Sequence, residues 1–137
     1  MKYACLVYVD EKKMELSAAD FQRLADESLA YDDELRKSGH LIIAQALQFV
    51  QNASTVRVRS GKISVTDGPF AETKEQLGGF ILIEASDLND AIRVASKIPV
   101  ARFGCIEVRP VSDLCKQYVQ SRDAARDELS DKKPASR

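Results

Sequence analysis

Phe80-Ile81-Leu82-Ile83-Glu84-Ala85, then Ser86-Asp87, then Leu88 to Ile98 with Pro99 behind it, then Cys105-Ile106-Glu107-Val108-Arg109: the fold turns on this run. Its first six residues have the character of a buried strand, with Ile81 and Ile83 on one side and Phe80 and Leu82 on the other. Ser86-Asp87 is a helix cap, and Leu88, Ala91, Ile92, Ala95 and Ile98 follow as an apolar stripe at helical spacing. Pro99 stops that helix, and a second strand ends at Pro110. The unit is strand, helix, strand.

The N-terminal part repeats it. Residues 2–9 are aliphatic, aromatic or β-branched and end at Asp10-Glu11, which predicts a strand. Ser17 with Asp20 three residues on resembles a capping box. Phe21, Leu24, Ala25, Ser28, Tyr31 or Asp32, and Leu35 then give one moderately apolar helix face, stopped by Gly39. Leu41 to Leu47 is the returning strand. Between the two units, Thr55–Arg59 and Lys62–Thr66 alternate strictly around Ser60-Gly61, which predicts a β-hairpin. The fold class is therefore α+β: a ferredoxin-like βαββαβ protomer with an inserted hairpin and both helices on one sheet face. Residues 1–112 make that domain, and residues 113–137 a C-terminal extension, partly helical or disordered. In it Leu114 and Tyr118 are expected to dock one short turn, with fraying from Ser121 onward.

With 137 residues there is room for one core and little more. The formal net charge of −1 offers no general attraction to phosphate backbones or anionic lipid, so nucleic-acid and membrane partners are disfavoured. No apolar run approaches the roughly 20 residues that span a bilayer, and Ala4–Val9 is too short for a signal-peptide core. The three cysteines, Cys5, Cys105 and Cys115, form no C-x-x-C pair, which suits reduced thiols in the cytoplasm. Cys5 and Cys105 are expected on neighbouring strands as small buried residues. One histidine and no His/Cys cluster argue against zinc, and no metal or cofactor is expected. A carboxylate-only Mg²⁺ site stays open.

Two helices cover only one face of such a sheet, and the other needs a polar surface or a partner. A strand apolar on both faces favours the partner. The expectation is a homodimer in which two sheets pack face to face as a dimeric α+β barrel. Glu107 and Arg109, at i, i+2 spacing, share one sheet face beside that interface, together with Arg57. They read either as an anion grip or as a structural ion pair.

The loop Thr66-Asp67-Gly68-Pro69-Phe70-Ala71-Glu72-Thr73-Lys74-Glu75-Gln76-Leu77-Gly78-Gly79 is the stretch least explained by packing. Gly68 permits backbone angles barred to other residues and Pro69 fixes its own φ, so the charged groups are held in one shape. Asp67 is the candidate general acid or base; the alternative is an Asx turn that merely fixes the loop. Glu72 and Lys74 supply a second carboxylate and a cation, or simply a solvated loop. Gly78-Gly79 leads into a strand, so a phosphate cradle at a helix start is excluded; close approach of another backbone is the expected reason for the glycines. Arg57, Arg59 and Lys62 read as a basic hairpin edge, and His40 as a surface residue beyond a helix end.

Asp67-Gly68-Pro69-Phe70 followed by Glu72-Thr73-Lys74-Glu75-Gln76-Leu77-Gly78-Gly79 closely resembles the DGPF-type branch of the YCII-related family. The match includes Met1-Lys2-Tyr3 and Thr55-Val56-Arg57, and continues through Ala91 and Pro99 to Glu107-Val108-Arg109-Pro110-Val111. The resemblance implies a dimeric α+β barrel, related folds that isomerise or cleave small molecules, and for this branch an association with extracytoplasmic-function sigma factors. The other branch features a His–Asp pair; His40 has no counterpart in the DGPF pattern, and the pair is not carried over. The leading expectation is a cleft of Asp67, Arg57, Phe70, Glu72, Lys74, Glu107 and Arg109 for a small anionic or carbonyl-bearing metabolite. Any chemistry there would be cofactor-independent proton transfer, as in a lyase or isomerase. The alternative is a non-catalytic sensing or accessory module linked to sigma-factor regulation.

Overall fold

A computed structural model describes residues 1–131. The chain runs β1 (Lys2–Val9), α1 (Ala18–Lys37), β2 (Leu41–Ala46), β3 (Ser54–Arg59), β4 (Lys62–Asp67), β5 (Gln76–Glu84), α2 (Leu88–Ser96), β6 (Gly104–Pro110) and α3 (Leu114–Asp131), with short 3₁₀ turns at Glu11–Met14, Val50–Asn52 and Pro99–Phe103. Four strands form one antiparallel sheet in the order β2-β5-β1-β6, and β3 and β4 form a separate two-stranded ribbon. Each strand–helix–strand unit straddles a strand of the other, which is the split arrangement of a ferredoxin-like sheet.

Local chemistry sets the element ends. Ser17 Oγ accepts the Asp20 N–H at 3.1 Å and starts α1. Gly39 ends it at φ +81°, with bonds from Gly39 N to Arg36 O (3.2 Å) and from His40 N to Leu35 O (2.9 Å), a Schellman closure. In the ribbon, Ser60 and Gly61 have φ of 50° and 74°, the two positive angles a type I′ hairpin turn requires.

The core lies between the sheet and the helices. Tyr3, Cys5, Val7 and Val9 of β1 and Ile81 and Ile83 of β5 are buried against Leu24, Tyr31 and Leu35 of α1. From α2 the buried residues are Ala91, Val94 and Ala95, with Ile98 just beyond the helix, whereas Leu88 and Ile92 of the expected stripe are each 48% exposed. The helix is thus turned so that its two small alanines face the sheet.

On the opposite face, alternation and register bring Ile43, Leu82, Ala4 and Arg109 into one cross-strand row and Gln45, Phe80, Leu6 and Glu107 into the next. Neither α1 nor α2 covers this face. Leu6, Phe80 and Leu82 are half-buried there, and Ile43 is exposed.

Two strands differ in detail from the sequence reading. β5 begins at Gln76, four residues before Phe80, and takes in both glycines. A Cβ on Gly79 would sit 2.8 Å from the Gln45 carbonyl oxygen, so close approach of a neighbouring backbone does account for that glycine. Cys105 pairs across from Tyr8 on the strand next to Cys5, yet it is exposed on the uncovered face and not buried. α3 is 18 residues long, well beyond one short turn, and it starts with Asp113 Oδ1 accepting the Lys116 N–H at 2.9 Å. Residues 132–137, the end of the expected tail, lie outside the described residues. No described helix is long and apolar enough to cross a membrane.

Candidate functional site

Between α1 and the helix-side face of the sheet lies a groove of about 470 Å³. Its walls come from Val7 and Val9 of β1, Phe21, Leu24 and Ala25 of α1, and Ala44 of β2, with Phe49 and Pro99 also in the lining. α1 supplies three polar groups to this wall: Ser28, Tyr31 and Asp32. Ser28 Oγ donates to Leu24 O at 2.9 Å and Tyr31 Oη to Val94 O at 2.6 Å. Burial, with Glu34 close by, pushes the Tyr31 phenol up to about 12. The Asp32 carboxyl is also raised, chiefly by burial; Arg36 opposes the shift and Asp33 adds to it. Among the described residues no lysine, arginine or histidine lines the groove. Such a cavity suits an apolar molecule with one hydrogen-bonding end.

The groove is a feature the sequence reading did not isolate. Ser28 and Asp32 interrupt the apolar stripe of α1 at i, i+4 spacing, and two polar residues on a core-facing stripe were the available signal.

The loop between β4 and β5 is shaped as its composition requires. Gly68 has φ +99°, its N–H donates to Ala53 O at 2.8 Å, and its carbonyl accepts from Thr55 Oγ1 at 2.8 Å. Arg57 donates to Thr66 Oγ1 at 3.1 Å and to Phe70 O at 3.2 Å, so its guanidinium braces the loop. Asp67 ends β4 with an exposed side chain, Phe70 is 81% exposed, and Glu72 and Lys74 are exposed. On β6, Arg109 Nε lies 3.4 Å from Glu107 Oε2, a solvent-facing pair. Among the described residues no hydrogen bond or ion pair joins Glu107 or Arg109 to Asp67, Arg57, Phe70, Glu72 or Lys74. The tie between this loop and β6 is instead Cys105 Sγ donating to Glu75 Oε2 at 3.1 Å, and that carboxylate, ahead of burial, raises the thiol above its usual range. No group of three or more His, Cys, Asp or Glu among the described residues could hold a metal ion.

A model of the YCII-related domain matches residues 1–115. The chain belongs to the YCII-related family. It is also 36% identical over 115 residues to an uncharacterized protein of Rhizobium meliloti (strain 1021), a match covering 82% of this chain and 93% of the other.

A His–Asp contact does occur in this YCII-related chain, between residues 50 apart in sequence. His40 Nε2 lies 3.1 Å from Asp90 Oδ2, and His40 Nδ1 lies 2.7 Å from Ser38 Oγ. His40 lies just beyond the end of α1, as its surface reading expects, but its side chain is half-buried, at 24% exposure, and paired with Asp90. Asp90 also accepts the Ser86 N–H at 3.0 Å and Arg93 Nη2 at 3.0 Å, while its own N–H donates to Asp87 Oδ1 at 2.8 Å. The Ser86 N–H first, then Arg93 and His40, hold its carboxyl well below the usual carboxylate range. Every bond in the cluster runs to a helix terminus. Chemically it is a clamp between the end of α1 and the start of α2, and the two helices are fixed by it over the groove side of the sheet.

Proposed function

We propose that this YCII-related protein is a homodimeric small-molecule-binding protein whose ligand is a small, largely apolar, carbonyl-bearing compound seated under α1. The observation that carries the reading is a groove with apolar walls, no cationic lining and one carboxyl raised by burial. Among the described residues no cationic side chain lines the groove to pair with an anionic ligand. A carbonyl oxygen could accept a hydrogen bond from the Asp32 carboxyl whenever it carries its proton, the form that burial favours. The same carboxyl could move a proton at the carbon beside that carbonyl, the chemistry of a cofactor-independent isomerase or lyase. Asp67 remains the second candidate proton carrier, on the loop that supports assignment to the DGPF branch. Pairing is supported by the uncovered sheet face, where Leu6, Phe80 and Leu82 stand together. The cytoplasmic setting is supported by three cysteines without a pairing pattern.

The test is thermal denaturation with a panel of small ketones, lactones and esters, followed by chemical analysis of each stabilising compound. Binding to the native state raises the melting temperature. Ala25→Phe, which fills the groove, should abolish the shift while leaving the unliganded protein folded. A shift that survives Ala25→Phe would rule the groove out. Where a compound is converted, Asp32→Asn and Asp67→Asn identify which carboxyl carries the proton.

A further inference from the structure

The groove under α1 is long and has one polar end. α1 borders it from Phe21 to Asp32, about three turns or 16 Å. The polar residues of α1 in its lining, Ser28, Tyr31 and Asp32, all fall in the C-terminal half of that span. Ser28 Oγ already donates to Leu24 O and Tyr31 Oη to Val94 O. No hydrogen bond or salt bridge among the described residues reaches the Asp32 carboxyl, so it is the group left to meet a ligand. Gln45 also borders the groove, but by register its side chain belongs with Phe80 and Leu6 on the other sheet face.

The opposite end is apolar. The Val50 N–H donates to Glu11 Oε2 at 3.0 Å, which holds the turn after Phe49 against the turn that leads from β1 toward α1. The Asp10 N–H donates to Phe103 O at 2.8 Å and brings the Pro99–Phe103 turn to the same place. Phe49 and Pro99 therefore stand with Phe21 at the start of the helix, and the two phenyl rings, 36% and 48% exposed, present apolar surface there. Between the ends, small residues make the room: Ala25 on α1, and on the sheet Ala44 and Ala46, the latter paired with Gly79. Gly79 cannot be enlarged, because a Cβ would lie 2.8 Å from the Gln45 carbonyl oxygen, so β5 keeps the middle of the groove open.

A compact ligand held at Asp32 would leave water against Phe21 and Phe49, whereas an extended one covers both rings. An extended alkyl chain advances roughly 1.3 Å per bond, so the span takes a carbonyl head and a tail of about ten carbons. We propose that the occupant is an unbranched, medium-chain alkyl carbonyl compound, its carbonyl at Asp32 and its tail lying along α1 toward Phe21 and Phe49. This rests on the groove being the ligand site, as proposed above, and adds the ligand's shape and direction.

Equilibrium dialysis of the full chain against 2-alkanones, from 2-pentanone to 2-tridecanone, tests it. Dissociation constants should fall about threefold to fourfold for each added methylene, the factor that burying a CH₂ gives, and level off once the tail passes Phe21. Asp32→Ala should weaken every ketone by the same factor, because it acts on the head. Phe21→Ser should weaken the long ketones at least about fivefold and leave the short ones unchanged, because it acts on the tail. Phe49→Ser should do the same, and it carries the test if Phe21→Ser loosens α1 by circular dichroism. Affinity that is flat with chain length, with binding still blocked by Ala25→Phe, overturns this proposal and leaves the groove standing as the site. Serine variants that weaken all lengths equally, or an Asp32→Ala effect confined to the long ketones, overturn it too. Chain-length dependence that survives Ala25→Phe puts the chains on other apolar surface, and no binding of any ketone removes the carbonyl reading of the groove together with this one.

Discussion

Asp90 shows how one carboxylate can serve three structural partners. It accepts from the Ser86 N–H, from Arg93 and from His40, and its own N–H goes to Asp87. The Ser86 N–H, Arg93 and His40 all favour the ionised form, which is why its pKa falls in the folded state. In the unfolded chain the group titrates near its ordinary value of 3.8. Above that value both states are ionised and the stabilisation is fully present. As pH falls through 3.8 toward the lower folded value, the unfolded chain takes up the proton first, and the stabilisation is progressively lost. Asp90→Asn should therefore be less stable than wild type at pH 7 by urea denaturation, and the gap should narrow as the pH is taken from 5 down to 2.5. An equal gap at both ends of that range would mean that Asp90 contributes through shape and not through charge. Nothing in the sequence announces the contact with His40, because the two residues lie 50 positions apart and each is satisfied locally as a helix-end residue.

At the scale of elements, what could be read from the chain follows how local the cause is. The ends of α1, the turn at Ser60-Gly61 and the span of β1 depend on residues within a few positions, and each is where its capping, turn or alternation signal sets it. The start of β5 is different. Gly78-Gly79 looks like punctuation in sequence, but Gly79 is a strand residue because the Gln45 backbone passes 2.8 Å from where its Cβ would be. The buried side of α2 is likewise set by how closely the helix sits on the sheet, which favours Ala91 and Ala95 over Leu88 and Ile92. The groove residues Ser28 and Asp32 were visible only as irregularities in a stripe. Gly104 makes the same point in a form that can be measured: a Cβ there would lie 1.9 Å from the Tyr8 carbonyl oxygen, which is backbone of the neighbouring strand. Gly39 has no atom within 4 Å of that position, but its φ is +81°. Gly104→Ala must part β1 from β6 and should cost about 3 kcal/mol or more, the upper end for overpacking. Gly39→Ala meets only the backbone penalty, about 1–2 kcal/mol. Equal losses in denaturant titrations of the two variants would show that β6 is held loosely enough to yield.

For the whole molecule, the groove lies mainly on the helix side of the sheet and the uncovered face on the other, so the proposed ligand binding and the proposed self-association should be separable. The helix side is filled by α1 and α2 and carries the groove; the other side presents Leu6, Phe80, Leu82 and Ile43 with Glu107 and Arg109 along the β6 edge. Leu82 sits in the middle of that surface, between Ile43 of β2 and Ala4 of β1. Leu82→Arg places a charge at the centre of the proposed contact between sheets, where a second copy would have to bury it unpaired. In a single chain the same arginine can extend into solvent, so the fold should survive with little change in melting temperature. Light scattering at micromolar concentration should then give the mass of one chain for the variant and of two for wild type. The groove as one chain forms it is lined from α1, β1, β2 and β5, so the proposed ligand should still bind in the variant. A Leu82→Arg protein that remains dimeric would move the interface off the sheet, and one that loses ligand binding along with dimerisation would mean that the second subunit completes the groove.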